Sequence, residues 1–273
     1  MISLLPFWAL NAIAHLAFFF LYYVFGYRKK VVLENLKSSF PNESKKQIVS
    51  TAKKFFKHFC RSFIESLKLL TLLKKKFGDQ YHLTNPEVLT KSLEEGRSVM
   101  LYGSHFGNWE WMTYLPSQIE CAMFSFYRKV SNGYFNDFMI HMRQRFGNIC
   151  IESEKGPRTI IQNQRKNVAG LYYLIGDQSP NKSSSFKWFN FLNQETAFLM
   201  GAPKLAKRFE MDSFYAQVKT EKTFHYEITF VPFPKEISED EMAEFYVKEL
   251  EKNIRAQKHL WLWSHKRWKM KKE

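Results

Sequence analysis

Acidic residues are scarce in this sequence, cysteines are scarcer, and one end of the chain carries no ionic charge at all. Asp and Glu together number 26 against 41 Lys and Arg, a formal net charge of +15 with a pI near 9.6. A deficit of that size predicts an anionic partner, which charge alone leaves open between nucleic acid, a phospholipid surface and an acidic protein. The three cysteines, Cys60, Cys121 and Cys150, are odd in number and lack metal-ligand spacing. They argue against a disulfide framework or a cysteine-held metal, and read as reduced core thiols in the cytosol. A glycine-rich phosphate loop, an internal repeat and a low-complexity tract are all missing, so neither a nucleotide nor a metal cofactor is expected. Motifs of nucleic-acid readers are missing too, and such a role would leave the apolar N-terminus unexplained.

What the chain does have is apolar and aromatic. Hydrophobic residues make up 45% and aromatics 17%, including 27 Phe, a composition that combines with the basic excess to favour a membrane interface. Across 273 residues no linker divides the chain. Two parts are expected: a transmembrane or membrane-anchoring helix over 1–27 and a single domain over 28–273. Residues 2–27 contain no Lys, Arg, Asp or Glu, enough length to cross a hydrocarbon layer of roughly 30 Å. Asn11 and His15 interrupt the run and leave open a second reading, in which the helix spans only partly or packs on the domain. Its length and the lack of a small-residue cleavage site argue against a cleaved signal. Arg28-Lys29-Lys30 follows, which places the remainder on the cytoplasmic side.

From 31 to 77 the pattern is helical, broken at 40–44, with Ser44 as an N-cap. Lys53, Lys54, Lys57, Arg61 and Lys68 recur among Phe55, Phe56, Phe59, Phe63, Leu67 and Leu70, which makes a basic amphipathic helix that either lies on a membrane or covers a core. Lys74-Lys75-Lys76 adds a further basic cluster. Beyond Asn85-Pro86, strands and helices alternate and predict an α/β sheet: strands at 98–103, 121–127, 168–175, 214–218 and 225–231, and helices at 109–119, 134–146, 157–166, 196–209 and 238–256. Ligands of open α/β sheets bind at the strand ends, so His105, Arg128 and Asp177 are expected to share one crevice.

The centre of the chemistry is Ser104-His105-Phe106-Gly107-Asn108-Trp109-Glu110. His105 falls on a strand-to-helix turn, and Glu110, five residues on, falls in the first helical turn. Positions five apart on one helix diverge by roughly 140°, so the pair meets only by straddling the helix start. Gly107 and Asn108 supply turn and N-cap chemistry there. A carboxylate on one imidazole nitrogen fixes the tautomer and leaves the other nitrogen as a general base. The competing reading makes His105 a loop histidine and Glu110 a solvated acid. For Arg128 it gives a surface cation, and for Asp177 a turn-forming aspartate.

Taken in order along nearly the whole chain, these segments resemble the late acyltransferases of lipid A biosynthesis, the lauroyl/myristoyl transferase family within the lysophospholipid acyltransferase-like group. His105 to Glu110 matches the His-x4-Glu variant of its motif. Phe126-Tyr127-Arg128, Arg143-Gln144-Arg145-Phe146-Gly147, Gly176-Asp177-Gln178, the stretch from Thr196 to Ala206 and the tail from Trp261 to Lys269 resemble its later segments. Lys129 and Lys266 depart from the family's usual proline and arginine.

The resemblance implies a glycerolphosphate acyltransferase-like fold with a central mixed sheet flanked by helices. It implies transfer of a fatty acyl chain from acyl carrier protein, or coenzyme A, to a hydroxyl of a lipid A precursor at the cytoplasmic face of the inner membrane. His105 is then the general base and Glu110 its orienting partner. Arg128, with the backbone amides of Gly107 and Asn108, stabilises the oxyanion, and Asp177, Arg145 and Arg267 bind substrate or support the site. A lysophospholipid, glycolipid or aminolipid acceptor remains an alternative, as does a non-catalytic, membrane-anchored lipid-binding protein.

Overall fold

The computed structural model describes residues 2–72 and 80–272. The basic cluster Lys74-Lys75-Lys76 and the end of the helical pattern at 77 lie outside the described residues. A short 3-10 turn (Ile2–Leu4) leads into α1 (Phe7–Phe19), whose last turn widens into a π-helix at Phe20–Val24. Gly26 (φ +57°) and Arg28 (φ +50°) reverse the chain into α2 (Lys29–Ser39) and then α3 (Lys45–Ser66). Ser44 caps α3 as expected, in a reciprocal box with Gln47, a device that stabilises a helix start by about 1 kcal/mol.

The body is a mixed sheet of seven strands in the order β1-β9-β8-β2-β5-β3-β4. In chain order these are β1 (Tyr81–Leu83), β2 (Val99–Gly103), β3 (Met123–Tyr127), β4 (Asn148–Glu152), β5 (Leu171–Ile175), β8 (Asp212–Lys219) and β9 (Tyr226–Pro232). All neighbours run parallel except β8 and β9. Helices α4 (Glu87–Glu94), α6 (Gly133–Gln144), α7 (Gly156–Arg165), α8 (Gly201–Arg208) and α9 (Glu239–Ala256) flank it. The central strand β2 is buried at every position, as a run covered on both faces must be.

Two expectations need correction. The helix foreseen over 109–119 is a 3-10 helix at Trp109–Tyr114 followed by one short α-turn, α5 (Pro116–Ile119). The helix foreseen from 196 begins only at Gly201. Thr196 belongs to β7 (Gln194–Leu199), which pairs antiparallel with β6 (Phe186–Phe191) as a separate hairpin whose positive-φ turn is Leu192-Asn193. Strands β1 and β4, both at sheet edges, had no counterpart in the sequence reading.

Candidate functional site

The C-terminal ends of β2, β5 and β3 lie side by side. Gly103 is paired with Ile175 across the parallel β2/β5 ladder, so His105 and Asp177, each two residues beyond, come out level with one another. Gly103 allows a close approach: a Cβ there would collide with the ring of Tyr173, and its carbonyl accepts the hydroxyl of Tyr246 at 2.8 Å. The result is a cleft of about 360 Å³ lined by His105, Glu110, Arg128, Arg143, Gln178 and the apolar side chains of Phe126, Phe135 and Met139. His105 and Arg128 thus share a crevice as expected, and Asp177 lies buried just behind it.

The imidazole of His105 is paired with Asp177. Its Nδ1 donates to Asp177 Oδ1 at 2.6 Å and its backbone amide donates to Oδ2 at 2.9 Å. A third donor, the Trp261 indole Nε1–H, reaches Oδ2 at 2.7 Å. Burial by itself would raise the Asp177 carboxyl. The charge that His105 carries when protonated on both nitrogens and these three hydrogen bonds outweigh it and hold the carboxyl below its ordinary value, so Asp177 is an anion. With Nδ1 protonated, Nε2 carries the lone pair; it faces the cleft and accepts from the Gln178 side-chain amide at 3.1 Å.

Glu110 does not fold back to His105. The tight 3-10 turn sends its carboxylate across to α6, where Arg143 grips it bidentately, Nη2 to Oε1 at 2.6 Å and Nε to Oε2 at 2.8 Å. No hydrogen bond joins Glu110 to His105 among the described residues. Burial disfavours the Arg143 cation, but the paired carboxylate overrides it and keeps Arg143 above its ordinary value. This is a planar fork on a carboxylate, in the wall of the same cleft.

The Gly107 amide is also committed elsewhere. Gly107 N–H donates to Leu260 O at 3.0 Å, and the Gly107 carbonyl faces His58 Nε2 at 3.2 Å. Asn108 does not cap the following turn; its side chain donates to Glu65 Oε2 at 3.0 Å and accepts from Ser66 Oγ at 3.1 Å. Gly107 therefore supplies no oxyanion donor, and the Asn108 side chain anchors the turn to α3. Arg128 is exposed at the cleft mouth and, among the described residues, is paired with no carboxylate.

Arg145 points away from the cleft: its Nη1 donates to the carbonyls of Leu69 and Leu72, at 2.7 and 2.6 Å, and closes the end of the 3-10 helix Leu67–Leu70. Arg267 is fully buried behind the site, donates to Ala197 O at 2.6 Å and stacks 4.4 Å from the Phe198 ring. Burial lowers its guanidinium to about 10, opposed by the charge of Asp177.

The residues that the sequence reading passed over are Arg143, Gln178 and Trp261. All three lie within segments that carry the family resemblance, and for Arg143 and Gln178 the available signal was helical and strand register: β5 delivers Gln178 right beside Asp177. Trp261 arrives by tertiary contact. Residues 260–265 cross under the turn, with Trp261 bridged antiparallel to Phe106 and Leu262 N–H donating to His105 O at 3.0 Å. His265 lies further along, accepting from Ser179 N–H at 3.2 Å; burial lowers its imidazole to about 4. The described residues hold no cluster of His, Cys, Asp and Glu able to bind a metal.

A buried carboxylate on one imidazole nitrogen, with the other nitrogen facing a partly apolar cleft, is an arrangement that can take a proton from a hydroxyl. A search of curated proteins found no match to this chain. The family model described as bacterial lipid A biosynthesis acyltransferase matches residues 1–270, and the chain belongs to that family.

Proposed function

We propose that the protein moves a fatty acyl group from a thioester, carried by acyl carrier protein or coenzyme A, to a hydroxyl of a lipid A precursor, with residues 1–27 as its membrane anchor and 28–273 as one acyltransferase domain working at the cytoplasmic face of the inner membrane. The observation that carries the mechanism is the Asp177–His105 hydrogen bond of 2.6 Å with Nε2 turned into the cleft. The acceptor hydroxyl displaces the Gln178 amide and gives its proton to Nε2. Asp177 fixes the tautomer and stabilises the imidazolium. The oxygen attacks the thioester carbonyl, and Arg128 at the cleft mouth is the donor for the oxyanion. Collapse of the tetrahedral species expels the thiolate, which takes the proton back from Nε2–H, so no acyl-enzyme forms. A positioned base of this kind contributes about 10²–10⁴-fold in rate. The Glu110–Arg143 pair then serves as a rigid, charged wall of the cleft, and the apolar lining takes the acyl chain.

The experiment is acyl transfer by purified protein from acyl carrier protein thioesters to a lipid A precursor, read by mass spectrometry, alongside lipid A from cells with and without the protein. His105→Ala is expected to abolish transfer while leaving the fold intact by circular dichroism. Transfer that survives in His105→Ala sinks the mechanism, and unchanged lipid A with altered acylation of another lipid reassigns the acceptor.

A further inference from the structure

The 18 residues Phe7–Val24 form the one helix, among the described residues, long and apolar enough to cross a membrane. At 1.5 Å per residue they extend about 27 Å. How that helix is packed bears on whether it crosses. One stripe, Leu10, Ala14, Phe18 and Tyr22, is buried. α3 and the 3-10 helix Leu67–Leu70 that continues it run antiparallel beside it: Lys68 of the 3-10 helix sits 5.2 Å from the Phe7 ring, Lys57 of α3 5.5 Å from Phe18 and Lys53 6.0 Å from Tyr22, while Phe56 meets Tyr22 edge-on at 5.3 Å. The start of the chain is fastened as well, Thr71 donating to Ser3 O at 2.7 Å.

A helix strapped along its length to a lysine-bearing neighbour cannot be threaded through hydrocarbon alone. Lys57 and Lys68 are 11 residues apart on their side, about 16 Å, so an upright pair would hold ammonium groups at well-separated depths of the apolar layer. Swinging the helix away from α3 would strip cover from Phe56, which is fully buried. The opposite face is bare and apolar: Leu4, Trp8, Leu16, Phe19, Tyr23 and Phe25 are exposed, Trp8 at 76% and Phe25 at 73%.

We infer that the N-terminal helix lies in the plane of an anionic bilayer surface and does not span it, with the Trp8–Leu16–Tyr23 face in the acyl-chain boundary and the lysines of α2 and α3 at the headgroups. Charge complementarity names the occupant. No acidic side chain lies in 2–27, Lys29, Lys30, Lys53 and Lys57 border the helix, and the whole chain carries +15. Long ammonium side chains over aromatic rings at the edge of an apolar face are the arrangement of an interfacial helix. The inference stands apart from the His105 chemistry, and its test reads no activity.

Trp8, Leu16 and Tyr23 fall within about 80° of one another on the helix. Each is changed singly to Cys in a Cys60→Ala, Cys121→Ala, Cys150→Ala background of the full chain and labelled with an environment-sensitive dye. The proteins are bound to phosphatidylethanolamine/phosphatidylglycerol vesicles carrying quenchers at two acyl-chain depths. Equal, shallow depths at the three positions are expected. A Leu16 label at the bilayer centre with the other two near opposite headgroups overturns the inference, and so does an absence of quenching at all three. A second measurement avoids the cysteine-free background: an epitope fused ahead of Met1 of the wild-type chain is expected to be digested from the same face of membrane vesicles as the domain, and digestion from the opposite face overturns the inference.

Discussion

Asp177 meets Nδ1 of His105 at 2.6 Å because β2 and β5 are parallel neighbours in register, and the carboxylate is held on its other oxygen by the His105 amide and the Trp261 indole. Orientation of the base is a property of the sheet, whereas the His-x4-Glu spacing delivers Glu110 to Arg143.

The two carboxylates should therefore fail differently. Asp177→Asn removes the anion and offers an N–H to Nδ1, which favours the wrong tautomer; kcat is expected to fall on the order of 10³-fold, with the thermal midpoint nearly unchanged. Glu110→Gln leaves the Arg143 cation half-paired in a largely buried site and is expected to cost about 3 kcal/mol of stability with a smaller loss in kcat. Steady-state kinetics and thermal melts on both variants check this. A larger kcat loss in Glu110→Gln than in Asp177→Asn would return the orienting role to Glu110.

Much of the sheet was legible because buried parallel strands such as Val99–Gly103 read as short apolar runs between helices. The crevice was legible by the same logic, since strand ends converge and His105, Arg128 and Asp177 each follow one. Pairings within it were not. Periodicity cannot say whether Glu110 heads a wide α-turn or a tight 3-10 turn, and that local choice decides which way its carboxylate points. Nor does spacing show that Arg145 is consumed by the Leu69 and Leu72 carbonyls while Arg143, two residues before, reaches the cleft. Trp261 lies 84 residues from Asp177, and only the folded tail brings them together. The β6/β7 hairpin was missed for another reason: Gln194–Leu199 continues into a helix after Met200, and its apolar content fits both periods.

Trp261 acts on the base through Asp177. Its indole N–H is one of the donors that hold the Asp177 carboxyl below its ordinary value against burial. In Trp261→Phe the ring's bulk stays and the donor goes, so the Asp177 carboxyl titrates higher. A carboxyl held below its unfolded value contributes stability that is present above that value and lost as pH falls through the folded one; raising the folded value takes part of that contribution away. The expected result is a thermal midpoint below wild type at neutral pH, by a deficit that narrows as pH falls through the carboxylate range, together with a lower kcat because the imidazolium loses part of its counter-charge. Trp263→Phe is the matched control, because its indole donates to Lys258 O at 2.6 Å, away from Asp177. It should cost about 1 kcal/mol of stability and leave the pH dependence of the thermal midpoint in place. Parallel shifts in both variants would show a general loosening of the tail.

The turn that presents His105 depends on Gly107. Its φ is +63°, in the left-handed region, and a Cβ built there would stand 2.9 Å from Val218 Cγ1 and 3.3 Å from the Tyr226 ring. An alanine must therefore adopt a strained backbone and also push on two buried side chains of β8 and β9, a combined cost of about 2–3 kcal/mol. Because Gly107 N–H is tied to Leu260 O, the strain passes into the Phe106–Trp261 bridge and so to the Asp177–His105 pair. A displacement on the order of 1 Å at a reacting group can cost about 10²-fold in rate. Gly107→Ala is expected to lower kcat by about that factor with little change in KM, and to lower the thermal midpoint. A variant with wild-type kcat would show that the turn can shift without moving the imidazole.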